Sequence, residues 1–138
     1  MGVEFAALVT WILAAIMGLY LLMTSLANGG LRGRATKVTR FPAALTLSHL
    51  VLGAAGLVVW VFFLITTQTM YAWAAFGLLV VVALLGFVML TRWLVGRGGR
   101  HARGADHKVP VIALLVHGGV AITTFVLVFF TALVVGQA

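Results

Sequence analysis

Two aligned stretches decide how this chain folds: PAALTLSHLVLGAAGLVVWVFFLIT (residues 42–66) and PVIALLVHGGVAITTFVLVFFTALV (residues 110–134). Each opens on a proline, carries a histidine seven residues later, and is otherwise almost wholly apolar. Pro42 leads to His49 and Pro110 to His117, at a constant offset of 68 residues. A run of about 20 predominantly apolar residues crosses the hydrocarbon core of a bilayer as one α-helix. An imidazole in such a helix is costly unless it faces the bundle interior and finds a partner, so by default it marks a functional site.

Outward from these stretches, approximately Val3–Leu26 and Tyr71–Leu94 are equally long and apolar, making four spans with Ala43–Thr66 and Pro110–Val135. The chain is 64% hydrophobic and 8% charged, which excludes an ordinary soluble domain. Its polar remainder is too short to fold alone, so residues 1–138 form a single transmembrane domain. No basic region precedes the first apolar run, so the sequence predicts no cleavable signal peptide and a retained first helix. Cysteine is absent, which removes disulfides, iron–sulfur clusters and thiol catalysis. Abundant Ala, Gly, Val and Arg suit a GC-rich bacterial genome and hence a multi-pass protein of the bacterial inner (plasma) membrane.

All nine Lys and Arg residues fall in two connections. Arg32, Arg34, Lys37 and Arg40 follow the first helix; Arg92, Arg97, Arg100, Arg103 and Lys108 lie at and beyond the end of the third. The turn Thr67–Gln68–Thr69–Met70 and both termini carry none. By the positive-inside rule both basic loops are cytoplasmic and both termini lie outside. The net charge of +7 is therefore assigned to topology and anionic lipid headgroups, not to nucleic acid.

The offset that relates the histidines also pairs Gly18 with Gly86, Gly30 with Gly98, Arg32 with Arg100, and Arg40 with Lys108. Repeat one spans about 1–68 and repeat two about 69–138, each a helical hairpin of the same orientation. The expected fold is an all-α integral membrane protein, an up-down four-helix transmembrane bundle built from two parallel helical-hairpin repeats. A pseudo-two-fold axis along the membrane normal then sets helices two and four on one diagonal. His49 and His117 meet at matching depth, about 10 Å inside the cytoplasmic edge. Gly18 and Gly86 come to nearly the same depth on helices one and three, which clears room for the edges of a flat macrocycle.

Helical steps of four and seven carry the His49 face through Gly53, Gly56 and Trp60, and the His117 face through Ala121, Thr124 and Val128. Gly53 and Ala121 leave volume beyond each histidine, although small residues also serve ordinary contacts between membrane helices. Two axial histidines suit a single haem b, one per chain, with iron held by His49 and His117. A metal-bound histidine usually donates its other ring nitrogen to an acceptor. The carbonyls of Leu45 and Ala113, four residues back, and the Thr46 hydroxyl are candidates. Arg92 is the first candidate partner for the propionates, followed by Arg40 and Lys108. Met17, Met23 and Met89 do not pair at equal depth, so no second haem site is expected.

His101, Asp106 and His107 in the second basic loop match no standard metal spacing and are read as solvated. Glu4 is the only other acid and sits at the outer end of helix one, too shallow for an exchange carboxylate. That argues against the small four-helix multidrug exporters. Trp11, Trp60, Tyr71, Trp73 and Trp93 are read as core or interface aromatics.

The paired histidines His49 and His117, with Gly18 and Gly86, resemble the membrane b-type cytochromes. These include the four-helix bacterial electron carriers and the haem-bearing anchors of succinate dehydrogenase. The chain as a whole is similar to small four-helix membrane proteins of actinobacteria. The cytochrome resemblance implies electron transfer with a quinone or a redox partner protein. It departs in having one histidine pair where the carriers typically have two, which bears on electron flow across the whole membrane. Two other readings stay open: an accessory subunit of a larger membrane complex or oligomer, and a small transporter whose histidines handle protons.

Overall fold

A computed structural model describes residues 2–28, 43–97 and 110–137. The chain forms α1 (Val3–Ala27), α2 (Ala43–Thr66), α3 (Thr69–Arg97) and α4 (Val111–Gly136), and no strand occurs among the described residues. The shortest helix, α2, has 24 residues. At a rise of about 1.5 Å per residue it is about 36 Å long, against a hydrocarbon thickness of about 30 Å. All four helices are apolar enough to span. The protein is an all-α, up-down four-helix transmembrane bundle, as the apolar runs predict.

The helix ends follow local chemistry. Glu4 lies in the first turn of α1, where a carboxylate complements the exposed N–H groups. Pro110 stands one residue before α4 as its N-cap, with φ −67° and ψ 109°, and its carbonyl accepts from the Leu114 N–H at 3.0 Å. Pro42 lies outside the described residues, as do Arg32, Arg34, Lys37, Arg40, Arg100, Arg103, Lys108, His101, Asp106 and His107. Helix α3 is longer at both ends than Tyr71–Leu94: only Thr67 and Gln68 separate its start from α2, and its other end runs on to Arg97. Thr67 turns the chain in the left-handed region, with φ 55°, and its N–H still bonds the Phe63 carbonyl at 2.8 Å.

The closest-packed pairs are α1 with α4 and α2 with α3; α1 with α2 and α3 with α4 pack more loosely. The repeat relation is preserved, because shifting by one repeat turns the α1·α4 pair into the α3·α2 pair. Each hairpin is therefore open, and each helix makes its main contact with the other repeat. In lipid no hydrophobic force draws helices together, so close packing relies on small residues. Ala7, Ala14, Gly56, Ala72, Ala75 and Ala132 are buried accordingly.

The contiguous core lies in the half of the bundle that carries the termini and the Thr67–Gln68 turn. Trp60 and Val128 are fully buried there, with Trp11, Phe63 and Leu79 nearly so. Trp60 packs on Trp11 and Phe63 at ring separations of 6.4 and 4.9 Å, and its indole N–H donates to the Glu4 carbonyl at 3.2 Å. The two buried threonines satisfy themselves within α4: Thr124 bonds the Val120 carbonyl and Thr131 that of Leu127. On the loop side of the histidines, Ala113 alone is buried among the described residues.

Candidate functional site: the histidine pair

His49 lies six residues into α2 and His117 six residues into α4, each about 9 Å from the loop end of its helix. Both are half-buried. Their ring centroids stand 6.3 Å apart, with the planes inclined at 62°. The pairing across the diagonal that the repeat predicts is therefore present.

Each ring is anchored to the neighbouring helix of its own tight pair. His49 Nδ1 bonds the Val82 carbonyl on α3 at 3.0 Å, and His117 Nδ1 bonds the Ala14 carbonyl on α1 at 2.9 Å. These acceptors differ from the Leu45 and Ala113 carbonyls and the Thr46 hydroxyl named from sequence. They obey the same offset as the histidines, because Ala14 and Val82 are 68 residues apart. A carbonyl oxygen only accepts, so these two bonds require the tautomer protonated on Nδ1, which in a neutral ring leaves the lone pair on Nε2. Among the described residues nothing donates to either Nε2.

Gly18 and Gly86 lie against the imidazoles. A Cβ at Gly18 would stand 3.1 Å from His117 Cε1, and one at Gly86 would stand 3.3 Å from His49 Cε1. The equal depth read from the sequence holds, and the neighbour of each glycine is a histidine ring. Gly53 has room, with its nearest foreign atom, Val82 Cγ1, 4.0 Å from a built Cβ. Ala121 is half-buried one turn beyond His117 on α4, and Arg92 is half-buried near the loop end of α3. Gly56, Trp60, Thr124 and Val128 are buried, so the faces traced from the histidines do point inward.

The residues that sequence reasoning missed are Ala14 and Val82, which act through backbone oxygen and so have no side-chain signature. One signal was available: each lies four residues before a repeat-paired glycine. No group of three or more His, Cys, Asp or Glu that could hold a metal ion occurs among the described residues. The histidine pair supplies two ring nitrogens and no third side-chain ligand among the described residues.

No protein-family model, no curated protein and no solved structure matches this chain.

Proposed function

We propose that this protein is a single-haem b-type membrane cytochrome whose one haem is ligated by His49 and His117. The observation that carries the reading is the paired anchoring of the two rings. With both Nδ1 protons committed to carbonyls, two neutral rings 6.3 Å apart have no donor left to exchange. A simple hydrogen bond between the histidines is thereby disfavoured, and a Lewis acid between them satisfies both lone pairs.

The spacing fits. An imidazole nitrogen sits about 2 Å from a bound first-row metal, and a five-membered ring of bonds near 1.33 Å has a radius of about 1.1 Å. Two imidazoles on opposite sides of one metal then have centroids about 6 Å apart, and here the separation is 6.3 Å.

When bound, the haem supplies one-electron redox chemistry. The chain's own residues fix the ligand rings and leave no histidine over for a second haem among the described residues. With His49 and His117 both holding it, the haem would serve electron transfer in preference to dioxygen binding. Arg92, half-buried at the loop end, is the candidate partner for the propionates. Retention of the basic loops on the cytoplasmic face of a bacterial inner membrane sets the haem near that face. Thr66, at the far end of α2, is 17 residues from His49, about 26 Å of helix. A single haem so placed exchanges electrons with a quinone or a partner protein and does not wire the membrane alone.

A dithionite-reduced minus oxidised visible spectrum of the detergent-purified protein tests the reading. Sharp α and Soret bands of a low-spin b haem, near one per chain, are expected, and His49→Ala or His117→Ala should abolish them. A featureless spectrum after haem is supplied during expression, or normal haem content in both variants, overturns the proposal.

A further inference from the structure

Gly18 and Gly86 stand in the same relation to the two histidines, and that relation is local to each tight helix pair. In an α-helix a side chain covers the surface over the turn preceding its own Cα. A side chain at position 18 would therefore cover the Ala14 carbonyl, and one at position 86 the Val82 carbonyl. Those are the two oxygens that the histidines reach, at 2.9 and 3.0 Å. The carbonyls already accept helical N–H bonds, but an sp² oxygen has a second lone pair for the imidazole. Away from water, the tautomer of a buried ring is set by whichever acceptor it can reach.

We propose that Gly18 and Gly86 are positioning residues: each leaves the carbonyl four residues before it uncovered, and that carbonyl holds the facing histidine with its proton on Nδ1 and Nε2 unprotonated. The two glycines thus leave both members of the pair with an acceptor nitrogen, Nε2. This extends the role read from sequence, where they only cleared space for a macrocycle edge. The tautomer assignment stands without any cofactor; its redox consequence rests on the haem reading.

The two sites are separable. A Cβ at Gly18 meets His117 and not His49, whereas one at Gly86 meets His49 and not His117. Each contact is tight enough that the ring must give by a few tenths of an ångström, so alanine weakens the bond and valine covers the carbonyl. Gly77 offers a control, because a Cβ there has nothing within 4 Å.

The experiment is long-range ¹⁵N–¹H correlation spectroscopy on the full chain labelled with ¹⁵N-histidine, in detergent micelles and without added haem. Signals are assigned by His49→Gln and His117→Gln. The wild type should show both rings protonated on Nδ1. Gly18→Ala and Gly18→Val should progressively lose that signature at His117 and leave His49 unchanged. Gly86→Ala and Gly86→Val should do the converse, and Gly77→Ala should change neither. A wild-type ring protonated on Nε2 overturns the proposal, even if the valine variants fail to fold. So do alanine variants with unaltered tautomers.

In the haem-loaded protein, loss of either bond makes the imidazole a weaker donor and should raise the midpoint potential. If no haem binds while the tautomers respond as described, the cytochrome reading falls and the positioning role stands. If haem binds and the tautomers do not respond, the outcome is the reverse.

Discussion

At Gly56 the absence of a side chain is a packing requirement. A Cβ there would stand 2.8 Å from Trp11 Cζ2 and 3.1 Å from Cη2, inside the aromatic contact that joins α1 to α2. Trp11 and Trp60 are both buried, so the indole has little space to retreat. Overpacking a filled interior costs about 1–3 kcal/mol. Gly56→Ala should lower the thermal unfolding midpoint in detergent, whereas Gly77→Ala, which meets nothing, should leave it unchanged or raise it slightly. Equal losses in both variants would mean that the cost is general to glycine replacement and not a Trp11 clash. The sequence separated these glycines only in part. Repeat pairing distinguished Gly18 and Gly86, and helical steps from His49 led to Gly56, but nothing in the letters revealed which neighbour each one meets. The carbonyls of Ala14 and Val82 were invisible for a related reason: every residue has one, and only the facing ring selects it.

At the scale of the elements, the spans were legible because a bilayer imposes a length and excludes charge. The boundaries of α1 and α2 fall within one residue of the apolar runs, and α3 outruns its estimate where arginine, a good helix former, extends it. Helix pairing was not legible. Helices that are apolar all round carry no stripe to show which face meets which partner, and the preference for α1·α4 and α2·α3 comes from shape. The link between α2 and α3 is equally specific. Two residues suffice because Thr67 adopts φ 55°, a conformation that β-branched residues rarely take. The left-handed region costs an L-residue roughly 1–2 kcal/mol, while the greater chain entropy of glycine takes back about 0.5–1 kcal/mol. Thr67→Gly should therefore raise stability by about 0.5–1 kcal/mol, read as a higher unfolding midpoint with no change in helicity. The exposed bond from Thr67 Oγ1 to the Thr66 carbonyl, 2.7 Å, is lost in that variant. A lowered midpoint would mean that this bond, and not backbone strain, governs the turn.

For the molecule as a whole, the bundle supplies an axis and the charges are the ground for proposing its direction. An up-down arrangement of four spans puts both termini and the Thr67–Gln68 turn at one end, and both long connections at the other. The nine basic residues belong to the second end, and none belongs to the first. Charged loops this short set orientation strongly, because Lys and Arg within about 15–20 residues of a span resist translocation. The depth of the histidine pair bears on the proposed function, since in the proposed orientation the loop end is the cytoplasmic one. The absence of cysteine makes the orientation directly measurable, with no background to remove. Single cysteines at Gln68 and Gln137 should react with a membrane-impermeant maleimide in intact cells, or in spheroplasts if an outer membrane is present. A cysteine at Arg103 should react only after permeabilisation. The reverse pattern would move the histidine pair to the outer face, where a periplasmic or extracytoplasmic donor would replace a cytoplasmic one. Labelling of all three positions from outside would contradict the up-down bundle itself, because an even number of spans separates the two termini and an odd number separates Arg103 from either.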